Sequence, residues 1–369
     1  MSADKNISAM TSRERLLAAL RCQKVDHTPW SPFLAYWWEH QAVDIQAGGQ
    51  IEFLRSIGAD ALLRGFLKPF CETPPVELTL REYSANGLRW TEHHTPLGCL
   101  RTGTRYSAEG NTTFVVDHPV KTAADYRVLR WLAANTRLEA DFAPVQAQIE
   151  AVGEDGLCVP LLPSFGKSAF QTLLEHYVGT EQLVYHLQDI PEEVEETLLV
   201  MQAQNQRAAE ICADSPAEAF ISWEDSSTTN VSPALFSRYI ASELNQWGGV
   251  LHQAGKLLIH HACGHLKALL PIMAQEAVDA VESISPPPTG NIEFWQAQAV
   301  LRQDQCVIGG IEPLHFLTLK DHAFDAYVLE LLQNTRPRGF ILANSDSCPP
   351  GVRVERFVRV GELLREHGQ

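Results

Sequence analysis

The sequence predicts an α/β protein built as a (β/α)8 TIM barrel. Eight apolar segments of strand length recur along its 369 residues. Most do not alternate, which is the pattern of strands buried on both faces of a parallel sheet. Helical patterns separate most of them. The unusual polar residues fall just after the apolar runs, where a barrel collects its chemistry. An open doubly wound sheet is the competing arrangement of the same alternation.

The elements follow in order. Thr11-Ser-Arg-Glu14 is a capping box before LLAALRC, so a helix is expected from about Ser12 to Cys22. The strand segments are HTPWSPFLA (27–35), DALLRGF (60–66), CVPLLPS (158–164), AFISW (219–223), KLLIHHA (256–262), DAVESIS (279–285), CVIGGIE (306–312) and GFILANS (339–345). Helices are expected in SAFQTLLEHYV, EEVEETLLVMQAQNQRAAEIC, PALFSRYIASELNQWGGVLHQ, LKALLPIMAQEA and FDAYVLELLQN. Residues 76–118 break the rhythm: they alternate and contain Asn86-Gly87 and Gly110-Asn111. They read as antiparallel β-hairpins inserted between strands 2 and 3. With no linker or low-complexity segment, residues 1–369 are read as one barrel domain carrying that insertion.

Composition narrows the function. Net charge is −16 and the pI about 5.3. Nucleic-acid binding rests on neutralising phosphates with Lys and Arg, so this balance argues against it and against an anionic membrane surface. The N-terminus has no apolar signal core and no run reaches membrane-spanning length, which leads us to expect a cytoplasmic protein. The 8 cysteines have no paired spacing, as expected of free thiols in a reducing compartment. Size and charge suit a monomer or a homodimer.

A barrel brings distant positions onto one rim. Glu224-Asp225 follow AFISW, His261 and Cys263 follow KLLI, Glu282 lies in DAVESIS, Glu312 closes IGGIE, and Cys348 follows FILANS. His, Cys and Cys are natural donors for zinc, with Glu224 as a fourth ligand that substrate can displace. Adjacent residues of a strand point to opposite faces, so His261, sharing parity with Cys263, is expected in the lumen and His260 in the helix layer. Glu224 and Asp225 are the candidate catalytic carboxylates. A cysteine after a strand is also ordinary core filler, and Ser285-Pro-Pro-Pro-Thr-Gly290 either shapes the rim or simply ends its strand.

KVDHTPW, TPLGCL, HHACG, SISPPPTG, GGIEP and FILANSDSCPPG together resemble the uroporphyrinogen decarboxylase superfamily, in the expected order over nearly the whole chain. The resemblance implies a (β/α)8 barrel. The Arg-rich segment that decarboxylases carry after the first strand is replaced by Phe33-Leu-Ala-Tyr-Trp-Trp38, and the Asp expected after the second strand is missing from LLRGFL, which with its neighbours offers only Arg64 and Lys68 as cations. The zinc- and corrinoid-dependent methyltransferase branch is more similar. It includes methylcobamide:coenzyme M methyltransferases and those of methanol, methylamine and aryl methyl ether metabolism. Its His-x-Cys plus distant Cys falls on His261, Cys263 and Cys348.

That resemblance implies Zn2+ and a methyl group exchanged with cob(I)alamin or methylcobalamin. The D-x-H-x-x-G corrinoid motif does not occur in the chain, so a separate corrinoid protein is the expected partner. Trp30, Phe33, Tyr36, Trp37 and Phe66 make an aromatic wall suited to a flat ring, and Glu282 or Asp225 can orient a ring hydroxyl. The favoured donor is therefore an aryl methyl ether, O-demethylated to a phenol. The competing readings are a methylcobamide:thiol methyltransferase, a uroporphyrinogen-type decarboxylase and a non-catalytic zinc-binding barrel.

Overall fold

The computed structural model describes residues 9–108 and 112–367. It is an α/β protein whose chain forms two compact units. One takes in Met1–Leu67, Ala143–Leu161 and Pro216–Gln369; the other takes in Lys68–Phe142 and Leu162–Ser215.

The first unit holds the barrel strands. Ala61–Arg64 pairs in parallel with Gly156–Val159. Ala219–Trp223, Leu257–His261, Ala280–Ile284, Cys306–Ile311 and Phe340–Asn344 form a five-stranded parallel sheet in chain order. Single bridges, Leu161 to Ile221 and Trp30 to Leu342, join these ladders at their edges. Seven of the eight expected segments are thus strands. The first, 27–35, contributes only the bridge at Trp30, because Pro29 and Pro32 flank it and a proline has no N–H to give a ladder.

The core follows strand parity. Leu62, Leu157, Val159, Ala219, Ile221, Leu257, Ile259, Ala280, Cys306, Ile308, Ile341 and Ala343 converge on one buried cluster. Leu16, Leu17, Ala19 and Leu20 of the helix Ser12–Leu20 join them. That helix starts as its capping box requires: Thr11 Oγ1 accepts from the Glu14 amide, and Glu14 accepts from the Thr11 amide. Two residues beyond the apolar lumen layer come Arg64, Trp223, His261 and Glu282. The site is built there.

The second unit contains the inserted hairpins as a four-stranded antiparallel sheet, Thr79–Ala85, Leu88–Thr95, Gly98–Ser107 and Thr112–Asp117. Asn86 and Gly87 have φ of 54° and 72°, the left-handed pair that a two-residue type I′ turn needs. The Gly110-Asn111 turn lies outside the described residues. Helices Ala123–Asn135 and Pro191–Asp214 also belong to this unit. Among the described residues no helix is long and apolar enough to cross a membrane.

Candidate metal centre

Strand register aligns the key side chains. His261 pairs with Trp223 on one side and with Glu282 on the other. All three share lumen parity. His261 Nδ1 lies 3.0 Å from Glu282 Oε2, and Nε2 lies 3.2 Å from Asp225 Oδ1. Cys263 Sγ approaches the same Asp225 oxygen at 3.7 Å. Ligand atoms of Asp225, His261 and Cys263 all lie within 4.8 Å of one another.

A buried ion pair anchors this cluster. Arg64 and Glu282 are each about 1 % exposed and joined by a salt bridge. Burial alone pushes the Glu282 carboxyl up, but Arg64 and His261 outweigh it and hold the group below its usual range. Burial likewise opposes charge on His261, yet hydrogen bonds with Asp225, Cys263 and Glu282 keep its imidazole well above the ordinary value. Burial pushes the Cys263 thiol up, against the pull of His261. Arg64 also sits over the Phe33 ring, 4.8 Å from its centroid.

A cavity of about 230 Å3 opens onto Asp225 and His261. Phe33, Tyr36, Phe66 and Trp223 supply its aromatic lining, Glu39, Asp225 and Asp346 its acids, and His261 its imidazole. Trp223 packs edge-on with Phe33 at 5.8 Å and Phe66 at 6.1 Å. Gly65 makes room for it: a Cβ there would lie 2.0 Å from the Trp223 ring, and its φ of 86° is left-handed. No Lys or Arg is among the lining residues.

Several expected residues fall elsewhere. Glu224, the expected fourth ligand, is fully buried and accepts a 2.7 Å bond from Ser222 Oγ. It shares parity with Ser222 and His260, the outward face, and the carboxylate grouped with His261 and Cys263 is that of Asp225. His260 faces the helix layer as expected, bonded to Ser226 at 3.1 Å and Glu276 at 2.8 Å and stacked on Phe236. Trp37 is not on the cavity wall: it is fully buried between Phe53 and Phe357 and donates to the Val352 carbonyl. Trp30 is buried at the bridge to Leu342, with Gly361 behind it. Glu282 supports His261 from below and does not line the cavity. Phe33, Tyr36 and Phe66 do line it.

Cys348 is buried, its thiol pushed up by desolvation, with Sγ 4.0 Å from the Pro349 carbonyl. It is outside the 4.8 Å donor group, although Asp346 and Ser347, just before it, line the cavity. Glu312 is buried and accepts from Thr289 Oγ1 at 2.7 Å, so the triple-proline loop is tied to the seventh strand. Sequence reasoning missed Trp223 and Asp346. Trp223 is legible from parity, two residues before Asp225, whereas Asp346 lies past the strand end, where alternation no longer guides.

The donor set itself fits zinc. It offers one imidazole nitrogen, one thiol and one carboxylate, the borderline-soft mixture zinc prefers. Nδ1 of His261 is already fixed by a carboxylate, the usual outer partner of a metal-bound histidine.

A family model described as Uroporphyrinogen decarboxylase (URO-D) matches residues 101–367. Among solved structures, a methyltransferase from Methanosarcina mazei superposes with a TM-score of 0.61 at 15 % identity, covering 97 % of this chain and 99 % of that one. That likeness establishes the shared barrel fold. A B12-independent methionine synthase from Shewanella sp. W3-18-1, in complex with selenomethionine, gives a TM-score of 0.46 at 10 % identity over 92 % and 98 % of the two chains. No curated protein matches the chain.

Proposed function

The chain belongs to the uroporphyrinogen decarboxylase family, and from that premise we propose that it is a zinc-dependent methyltransferase. In this reading it moves a methyl group from an aryl methyl ether to the cobalt of a separate corrinoid protein. The observation that carries the reading is the grouping of Asp225, His261 and Cys263 beside an aromatic-walled cavity that Asp225 and His261 line. These three hold the metal. Cys348 supplies a further thiolate, a role supported by its place next to Asp346 and Ser347 on the cavity wall.

When bound, zinc supplies a Lewis acid for the ether oxygen, stabilising the negative charge that develops as the methyl departs. The chain's own groups do the rest. Glu282, held by Arg64, fixes the His261 ring so that Nε2 faces the donor cluster. Phe33, Tyr36, Phe66 and Trp223 grip the arene and orient its methoxy group. The apolar wall excludes water from the reacting bond. The cavity is smaller than the roughly 300–1,000 Å3 of typical drug-sized sites, which suits a single ring.

Wall chemistry separates this reading from its rivals. A polycarboxylate porphyrinogen needs cations, and the lining carries three acids and neither Lys nor Arg. A small polar thiol has no use for four aromatic rings. The test is methyl transfer from guaiacol-like ethers to added cob(I)alamin, with and without a chelator, alongside metal analysis. Ether demethylation that a chelator abolishes and zinc restores is expected. Zinc present, with thiol methylation but no ether demethylation, would move the substrate to the thiol class; turnover indifferent to chelation would remove the metal.

Phe66→Ala tests the wall separately. The side chain is 60 % exposed and packs edge-on against Trp223, so its removal takes little from the buried core. Losing one ring face costs about 1–1.5 kcal/mol of binding, or roughly a ten-fold rise in KM for the ether. Zinc content is expected to stay constant. An unchanged KM would take Phe66 off the wall.

A further inference from the structure

We propose a second transition-metal site, on the antiparallel sheet of the other unit, held by Glu92, His94 and Cys99. Nothing in the methyl-transfer reading uses these residues, and the inference does not depend on it. His94 and Cys99 are directly opposed across the hairpin, one pair in from Thr95 and Gly98, which flank its two-residue turn. Glu92 precedes His94 by two residues on the same strand, so all three side chains stand on one face. Directly opposed residues of an antiparallel pair bring their Cβ atoms to about 4.5–5.5 Å, close enough for two side chains to share an ion.

The donor atoms are already near coordination distance. Cys99 Sγ lies 3.9 Å from His94 Nε2, which lies 3.0 Å from Glu92 Oε2. All three ligand atoms fall within 4.8 Å of one another. Donors at 2.0–2.3 Å around a tetrahedral zinc stand roughly 3.3–3.8 Å apart, so the two separations to His94 Nε2 are within a few tenths of an ångström of a coordinated spacing. Glu92 is pre-positioned: the Tyr83 hydroxyl donates to its other oxygen, Oε1, at 3.0 Å, leaving Oε2 aimed at His94.

The neighbouring cations leave the position available. Arg81 is 3.8 Å from Glu92 Oε2 but 69 % exposed, so its attraction is screened and easily displaced. Arg101, opposite Glu92, stacks on Trp90 with its guanidinium 4.4 Å from the ring centroid. Thiolate, imidazole and carboxylate together select a zinc- or copper-class divalent ion over magnesium or calcium. His94 and Cys99 are exposed, so a fourth position faces solvent. Binding replaces the Cys99 S–H bond with an S–metal bond and releases that proton to water. The ion would staple the hairpin near its turn.

The experiment uses the full-length chain carrying Cys263→Ala and Cys348→Ala, titrated with Co2+ as a spectroscopic stand-in for zinc. A thiolate-to-cobalt charge-transfer band in the near ultraviolet is expected. It should vanish when Cys99→Ser is added and persist with Cys71→Ser, the other exposed cysteine. In the otherwise unaltered chain, His94→Ala and Cys99→Ser should each lower bound zinc by one equivalent while leaving methyl transfer unchanged. Glu92→Gln should weaken zinc binding without removing the band. A cobalt spectrum and zinc content that survive both His94→Ala and Cys99→Ser would overturn the site. So would loss of methyl transfer in step with the zinc, since that would place the metal in the barrel.

Discussion

Replacing Cys263 with alanine is expected to strip zinc from the barrel mouth and to lower methyl transfer by at least about a thousand-fold. A Lewis-acid metal contributes several kcal/mol of charge stabilisation, and each 1.36 kcal/mol is a factor of ten in rate. The donor set explains why one atom matters so much. Asp225 Oδ1 is shared between His261 Nε2 and Cys263 Sγ, so deleting the sulfur removes the one thiol of this close donor group and leaves only Asp225, His261 and the more distant Cys348 to hold a metal. The fold should survive, because Cys263 is only half-buried and lies past the end of its strand, outside the apolar lumen cluster. Far-ultraviolet circular dichroism and Tm are therefore expected near the parent values while zinc analysis reads a loss. Full zinc and full activity in this variant would remove Cys263 from the centre. Cys348→Ala is the companion measurement: a partial loss of zinc places its sulfur among the ligands, and undiminished zinc confines the set to Asp225, His261 and Cys263.

Much of this arrangement is legible in the sequence, because strand alternation is a strict rule while a strand lasts. Parity separates His261 from His260 correctly, and Asn86-Gly87 announces its turn through the one backbone conformation that favours it. Parity also favours Asp225, in step with Trp223 and His261, over Glu224, in step with Ser222, and a left-handed φ of 48° at Asp225 accompanies the turn that carries its carboxylate to His261. The rule fails where the ladder is lost. The first strand loses its ladder to Pro29 and Pro32, so the aromatics beyond it follow a short helix, Ala35–Glu39. On that helix Tyr36 faces the cavity and Trp37 the core, a division composition cannot foretell. Asp346 owes its place to a loop folded back beside His261, and no local pattern encodes such a return.

Breaking the Arg64–Glu282 pair from one side is expected to be the most destabilising single change in the barrel. Arg64→Met leaves the Glu282 carboxylate buried without its main counter-charge, a defect that costs about 3–5 kcal/mol. That is a large part of the 5–15 kcal/mol that typically separates folded from unfolded protein. The pH dependence has a definite sign. In the parent, Arg64 and His261 hold the Glu282 carboxyl below its unfolded value, so the pair stabilises above that value and the benefit is lost as pH falls. In Arg64→Met, burial dominates and pushes the carboxyl above its unfolded value, so the penalty grows as pH rises and is relieved in acid. The Tm gap between variant and parent should therefore be wider at pH 8 than at pH 4; a gap independent of pH would mean that the lost stability is packing rather than charge. Arg64→Met/Glu282→Leu removes both charges at similar volume, and much of the stability should return. Zinc affinity should not: with Glu282 gone, nothing fixes His261 Nδ1, and loss of such a partner typically costs 10–100-fold in metal binding. A double variant that is stable yet binds zinc weakly identifies the ion pair as the support of the metal centre. If zinc affinity recovers together with stability, the pair is ordinary core and His261 is oriented by something else.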